Sequence, residues 1–238
     1  MHRKRAQVLA KGHDYRFIAA TRCLEAMDTY KGPDLLAILP HISVLRDPRF
    51  LDPLLAMLNN SNGRKREFAI LALGALRSPK AVPALVRCFR SLEKSASGSR
   101  LSLQLGIVHT LGDIGSDEAV PFLRGQLRSL PSRARNRVNR ETRIIESLGH
   151  IAQQGGARAL SYLMELAAGR TARLCALAIP EIAVSFWHRP NELPAKVLRL
   201  LQDRLNDEDG HIRQAAFYAL ENLAHLGCVK AEQVLVKL

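Results

Sequence analysis

Residues 111–123 read "LGDIGSDEAVPFL", and the first five of them belong to a pattern that recurs along the chain. The other copies are "LPHIS" at Leu39, "LGALR" at Leu73, "LGHIA" at Leu148, "IPEIA" at Ile179 and "LENLA" at Leu220. Successive spacings of 34, 38, 37, 31 and 41 residues are too regular for chance. A period near 36 marks a repeat architecture in which each copy is one supersecondary unit.

The rest of the quoted stretch recurs as well. "RDPRFLDPLLAML" from Arg46 and "RSPKAVPALVRCF" from Arg77 match "GSDEAVPFLRGQL" from Gly115. Asp47, Ser78 and Ser116 stand as N-caps that accept a hydrogen bond from an orphan amide of the next helix. Pro48 and Pro79 fall at the first helical position, where a missing N–H costs nothing. Pro53, Pro83 and Pro121 follow within the helix and predict a bend near its start.

Ahead of each five-residue pattern lies an apolar stripe at helical spacing, such as Val138, Ile144, Ile145, Leu148 and Ile151 in the fourth copy. In the last copy Ile212, Ala215, Ala216, Ala219, Leu220 and Leu223 share a face, and Gly227 stops the helix. Each repeat therefore reads as helix A, tight turn, helix B. Stacked pairs bury one continuous core. Two stretches depart from the pattern: the polar linker "RSLEKSASGSR" (90–100), and residues 169–194, where Pro180 lies inside a helix A and should kink it.

The series "LGDIGSDEAVPFL" (111–123), "LGALRSPKAVPAL" (73–85) and "DEDGHIRQAAFYAL" (207–220) resembles the HEAT-like repeat of the phycobilisome-lyase type. The resemblance covers residues 34–238 and implies an all-α fold, an α-solenoid of about six helix-pair repeats. Residues 1–33 read as a basic segment and an N-terminal capping helix, with 34–238 one continuous repeat domain. The roles it implies are adaptors, assembly chaperones, bilin lyase subunits and nucleic-acid binders, because a fold of this kind does not fix function.

Composition agrees with an all-helical chain: 47% of the residues are apolar and only 5% aromatic. "MHRKRAQVLAKGHDYRF" follows its charges with too short an apolar run for a secretory signal, and no window reaches the length of a membrane span. A soluble, cytoplasmic protein is expected. Cys23, Cys88, Cys175 and Cys228 are widely spaced among apolar neighbours, so they read as small buried hydrophobes, with no metal or disulfide expected.

The formal net charge of +13 is uneven: residues 1–100 carry +10 and residues 201–238 carry −2. Such a field favours acidic proteins, nucleic acid or anionic lipid. Phosphate-loop, dinucleotide, nucleophile-elbow and zinc-protease motifs are all missing from the sequence, so no catalytic residue and no cofactor is assigned. The third position of the repeated pattern gives the column His41, Ala75, Asp113, His150, Glu181 and Asn222. Repeats about 10 Å apart would hold Asp113, His150 and Glu181 beyond direct reach of one another, so they read as polar groups capping helix ends.

The binding candidates are basic. In HEAT-type solenoids the B helices line the concave face, and the apolar stripe Val82, Leu85, Val86 and Phe89 leaves Lys80, Arg87 and Arg90 outward. Arg124 and Arg128 are their counterparts one repeat on. Arg133, Arg137 and Arg140 come from "LPSRARNRVNRETRI" (130–144), opposed only by Glu141, with Ser132 as its expected N-cap. Trp187 in "FWHRP" is either a partner contact with Arg189 or the filling of a repeat junction.

These features predict a non-enzymatic scaffold, adaptor or assembly chaperone whose basic face holds an acidic protein partner. A bilin lyase subunit or tetrapyrrole-protein chaperone and sequence-nonspecific nucleic-acid binding are the alternatives. Val234, Leu235 and Leu238 in the last repeat are expected to present an uncapped apolar end open to self-association.

Overall fold

The computed structural model describes residues 2–29, 32–93, 100–131 and 136–238, the side chains of 2–14 and 32–33 excepted. Among the described residues the regular elements are all helices, without strands. None of the helices among the described residues is long and apolar enough to cross a membrane. The chain divides into two compact units, Met1–Thr110 and Leu111–Leu238.

In the first unit α1 (His2–Thr29) packs on the first repeat. Helix A of that repeat is split into a 3-10 segment, Gly32–Ile38, and α2 (Leu39–Leu45). Pro40, at the second position of α2, cannot donate to the preceding turn, so the two pieces do not fuse into one α-helix. Its B helix is α3 (Leu51–Met57); the second repeat is α4 (Gly63–Leu76) and α5 (Val82–Glu93). Helix α6 (Arg100–Ile114) carries the third copy of the pattern and crosses the boundary between the units.

The second unit continues with α7 (Val120–Ser129), α8 (Arg137–Gln153), α9 (Ala157–Ala167), α10 (Ala172–Val184), α11 (Ala195–Leu205), α12 (Gly210–His225) and α13 (Val229–Leu235). All six copies of the repeated pattern thus lie in A helices, each followed by its B helix. The fold is the all-α helix-pair solenoid expected from the spacing.

The prolines act differently from expectation. A 3-10 turn precedes α3, α5 and α7, at Pro48–Phe50, Pro79–Ala81 and Asp117–Ala119. Pro53, Pro83 and Pro121 then fall in the first turn of the α-helix proper, where no N–H is needed. The bend is therefore a 3-10 to α junction. Asp47 caps its turn through the amide of Arg49 (2.9 Å) and Ser116 through that of Glu118 (3.3 Å), but Ser78 makes no capping bond. Gly115, Gly155 and Gly227 take positive φ at A-helix ends, a conformation that glycine adopts without the steric cost of a Cβ. Helix α10 continues through Pro180.

The cores follow the stripes. Ile144, Ile145, Leu148 and Ile151 are buried on α8, but Val138 is 52% exposed. It stands at the second position of a helix that begins at Arg137, before the stripe turns inward. Val86 and Ala215 are half-buried rather than core. All four cysteines are buried and unpaired. In the last repeat Val234 is buried, Leu235 half-buried and Leu238 exposed, so Val234 belongs to the core and not to an open end.

Candidate functional site

Two polar clusters in the second unit are built by residues one repeat apart. The first follows the column of third positions. Asp113 on α6 and His150 on α8 lie 3.6 Å apart, side chain to side chain. For Asp113 and His150 the expectation that they stand beyond reach is corrected: helix spacing separates axes, and two side chains pointing along the same edge close the gap. The Asp113 carboxylate holds the His150 imidazolium above its ordinary range, against the opposing effect of burial, with Glu181 and Glu146 adding to the field. Burial pushes Glu181 on α10 up to about 7, with His150 pulling down and Glu146 pushing up.

The close approach of the A helices depends on the glycines of the pattern. A Cβ on Gly112 would stand 2.8 Å from the Ser147 Cα, and one on Gly149 would strike the Glu181 carboxylate. Beside them Asp117 reaches the next repeat and accepts hydrogen bonds from the amides of Arg158 and Ala159, both at 3.1 Å, at the start of α9.

The second cluster gathers several of the basic candidates. Arg124 and Arg128, one turn apart on α7, both face Glu165 of α9, at 2.8 and 3.7 Å. The Arg124 guanidinium lies 4.8 Å over the ring of Tyr162, which is only 5% exposed. Burial pushes the Tyr162 hydroxyl up, while Arg128 and Arg124 oppose it. Arg137 opens α8 and donates to Glu141 one turn on at 2.7 Å; Arg173 of α10 donates to the same carboxylate at 3.0 Å. Glu141 is 1% exposed. Between these groups lies a cleft of about 300 Å3, lined by Arg128, Arg137, Tyr162, Glu165, Leu127 and Leu166 among others.

The remaining candidates are placed as follows. Lys80, Arg87 and Arg90 are exposed on the second repeat in the first unit, as their spacing predicts. Arg140 is half-buried on α8. Arg133 and Ser132 lie outside the described residues; α8 starts only at Arg137, with Asn136 before it. Trp187 is half-exposed, whereas its neighbour Phe186 is 4% exposed, with the Arg189 guanidinium 5.9 Å from the centre of that ring. The first unit has its own groove between α1 and α2, of about 590 Å3, mostly apolar with Arg22 and His41 at its walls.

Tyr162, Glu165, Arg173 and the burial of Glu141 do not follow from the local sequence. A longer-range signal for them exists. Arg124 and Glu165 are separated by 41 residues, and Glu141 and Arg173 by 32, each close to one repeat period. Polar residues one period apart on stacked helices are neighbours, so the repeat register by itself pairs them.

A net surplus of guanidinium over carboxylate in a cleft with a buried aromatic wall is suited to holding an anionic group. Among the described residues the cleft offers no nucleophile paired with a base. No curated protein matches the chain. Residues 51–141 match the family model described as HEAT repeats, without distinguishing the phycobilisome-lyase type. The helix pairs described above make this an all-α helix-pair solenoid, and its likeness to HEAT repeats is carried by residues 51–141.

Proposed function

We propose that the protein is a non-enzymatic interaction scaffold that holds an acidic protein partner through arginines on its helix pairs. The observation that carries this reading is the cluster in the second unit, where Arg124, Arg128, Arg137 and Arg173 pair with Glu141 and Glu165. Four cations against two carboxylates leave an unbalanced positive field beside a cleft. Complementary charge of this kind steers encounter and sets partner choice more than it sets raw affinity. Arg87 and Arg90 of the first unit, both exposed, add further cations within reach of solvent. HEAT-type repeats in general serve protein interaction, which agrees with this reading.

The test is a pulldown from native lysate with the full chain and with a variant carrying Arg87→Glu, Arg90→Glu and Arg128→Glu, followed by reconstitution with the purified captured protein. An acidic partner whose binding weakens with salt and is lost on charge reversal is the expected outcome. Retention by the reversed variant, or capture of nucleic acid alone, overturns the proposal.

A further inference from the structure

Glu165 is paired with two arginines yet is held loosely. Its side chain is 53% exposed, it reaches Arg124 at 2.8 Å and it stands 3.7 Å from Arg128, itself 64% exposed. Ion pairs this exposed contribute little stability. Arg124, by contrast, is fixed on the buried Tyr162 ring. Glu165 takes only its Nη2, while Nε is buried without an acceptor. A guanidinium binds a carboxylate best through two parallel N–H bonds, and Glu165 makes only one of them with Arg124.

We infer that the cleft between α7, α9 and the start of α10 receives a carboxylate side chain from an acidic segment of a partner protein, and that Glu165 occupies that place in the unbound chain. This rests on the scaffold reading above and names its point of entry. The incoming carboxylate pairs with Arg128, which lines the cleft, and takes over the Nη2 that Arg124 now gives to Glu165, while Glu165 swings into solvent. Leu127, Leu166 and Leu174 on the cleft wall receive an apolar neighbour of the acidic residue. At about 300 Å3 the space fits one or two side chains and lies at the lower end of ligand pockets. A carboxylate is favoured over a nucleic-acid backbone because the arginines of the cleft already hold one, that of Glu165, and because an aromatic and three leucines adjoin them.

Fluorescence anisotropy on the full chain, with a labelled peptide alternating Glu and Leu, its Gln and Leu counterpart, and a duplex DNA, tests this directly. Glu165→Gln removes the internal competitor and is expected to bind the acidic peptide roughly two- to five-fold tighter. Arg128→Ala and Arg124→Lys are expected to weaken it roughly tenfold, the latter because lysine keeps the charge and loses the planar group held over Tyr162. Arg199→Gln, an exposed change on α11, is expected to bind as the wild type does.

Glu165→Ala is the second variant at the competitor position. If the wild type binds the acidic peptide but neither Glu165 variant tightens it, the entry point is wrong and the scaffold reading stands. If the wild type prefers neither peptide at low salt, both fall. Binding of DNA with no peptide preference replaces both with a nucleic-acid role.

Discussion

Glu181 of α10 lies directly against Gly149 of α8, filling the space that a Cβ at that glycine would need. One repeat earlier the corresponding glycine, Gly112, meets the Ser147 backbone instead, 2.8 Å from the position its Cβ would take. The two contacts have the same origin, since small residues let successive A helices approach. Their tolerance differs. The far end of Glu181 can rotate away, whereas the Ser147 Cα is fixed within a helix.

Alanine at the two glycines separates these cases. Gly112→Ala is expected to destabilise by about 1–3 kcal/mol through overpacking. Gly149→Ala gains up to about 1 kcal/mol of helix propensity, which offsets much of the cost of moving Glu181. Chemical denaturation of the two variants checks the order, and equal losses would show that the Ser147 contact is not the tighter one.

Glu181 also predicts how stability depends on pH. Its native carboxyl is pushed up to about 7 from an ordinary value of 4.5, so the folded state binds more protons than the unfolded state between those values. Its contribution is therefore fully present below about pH 4.5 and lost as pH rises through 7. His150, raised by Asp113, works in the same direction: its contribution is present below its ordinary 6.5 and lost above its raised value. The chain should melt at lower temperature at pH 8 than at pH 6. By linkage the Glu181 share is at most about 3 kcal/mol. Glu181→Gln should flatten the profile, and an unchanged slope in that variant would exclude Glu181 as its source.

The repeat was legible because apolar spacing and proline position are set by local backbone rules, and six copies of "LGDIG" and its kin repeat the same message. Even the Asp113, His150 and Glu181 column was visible as a register. The Asp113–His150 contact does not follow from that register, because helix spacing sets the distance between axes and not between side-chain ends. Val138 departs from the stripe for a related reason: it stands only one residue into α8, which begins at Arg137, before the stripe turns inward. The arginine-rich stretch was harder. Glu141 looked like a lone opposing charge, but its burial depends on Arg173, which only the stacking of α10 on α8 supplies. Arg124 likewise read as a free surface cation until Tyr162 and Glu165 stood beside it. Charge counts along a chain say nothing of which charges neutralise each other across repeats.

Asp117 couples the third repeat to the fourth by accepting from the Arg158 and Ala159 amides at the head of α9. It acts as an N-cap supplied by another repeat, while Gly156 at the cap position has no side chain to do so. Asp117→Ala is expected to cost about 1 kcal/mol. Hydrogen exchange should localise the effect to the first turn of α9; uniform loss of protection across the unit would argue against a capping role.

Glu141 joins two helices through one buried carboxylate. Its carboxylate is 1% exposed and compensated by Arg137 at 2.7 Å and Arg173 at 2.8 Å, tying the starts of α8 and α10 together. Cations near a helix N-terminus oppose the helix dipole, so Glu141 offsets a cost that both helices would otherwise bear. Replacing it with alanine leaves two guanidinium groups facing each other beside a cavity. Because Arg173 is 43% exposed and can turn to solvent, the loss should fall below that of a fully buried pair, at about 1–3 kcal/mol. Arg173→Ala should cost less than Glu141→Ala, since Arg137 still compensates the carboxylate. Thermal unfolding of both single variants and the double variant measures the coupling, and additive losses would show that the three groups do not act as one network.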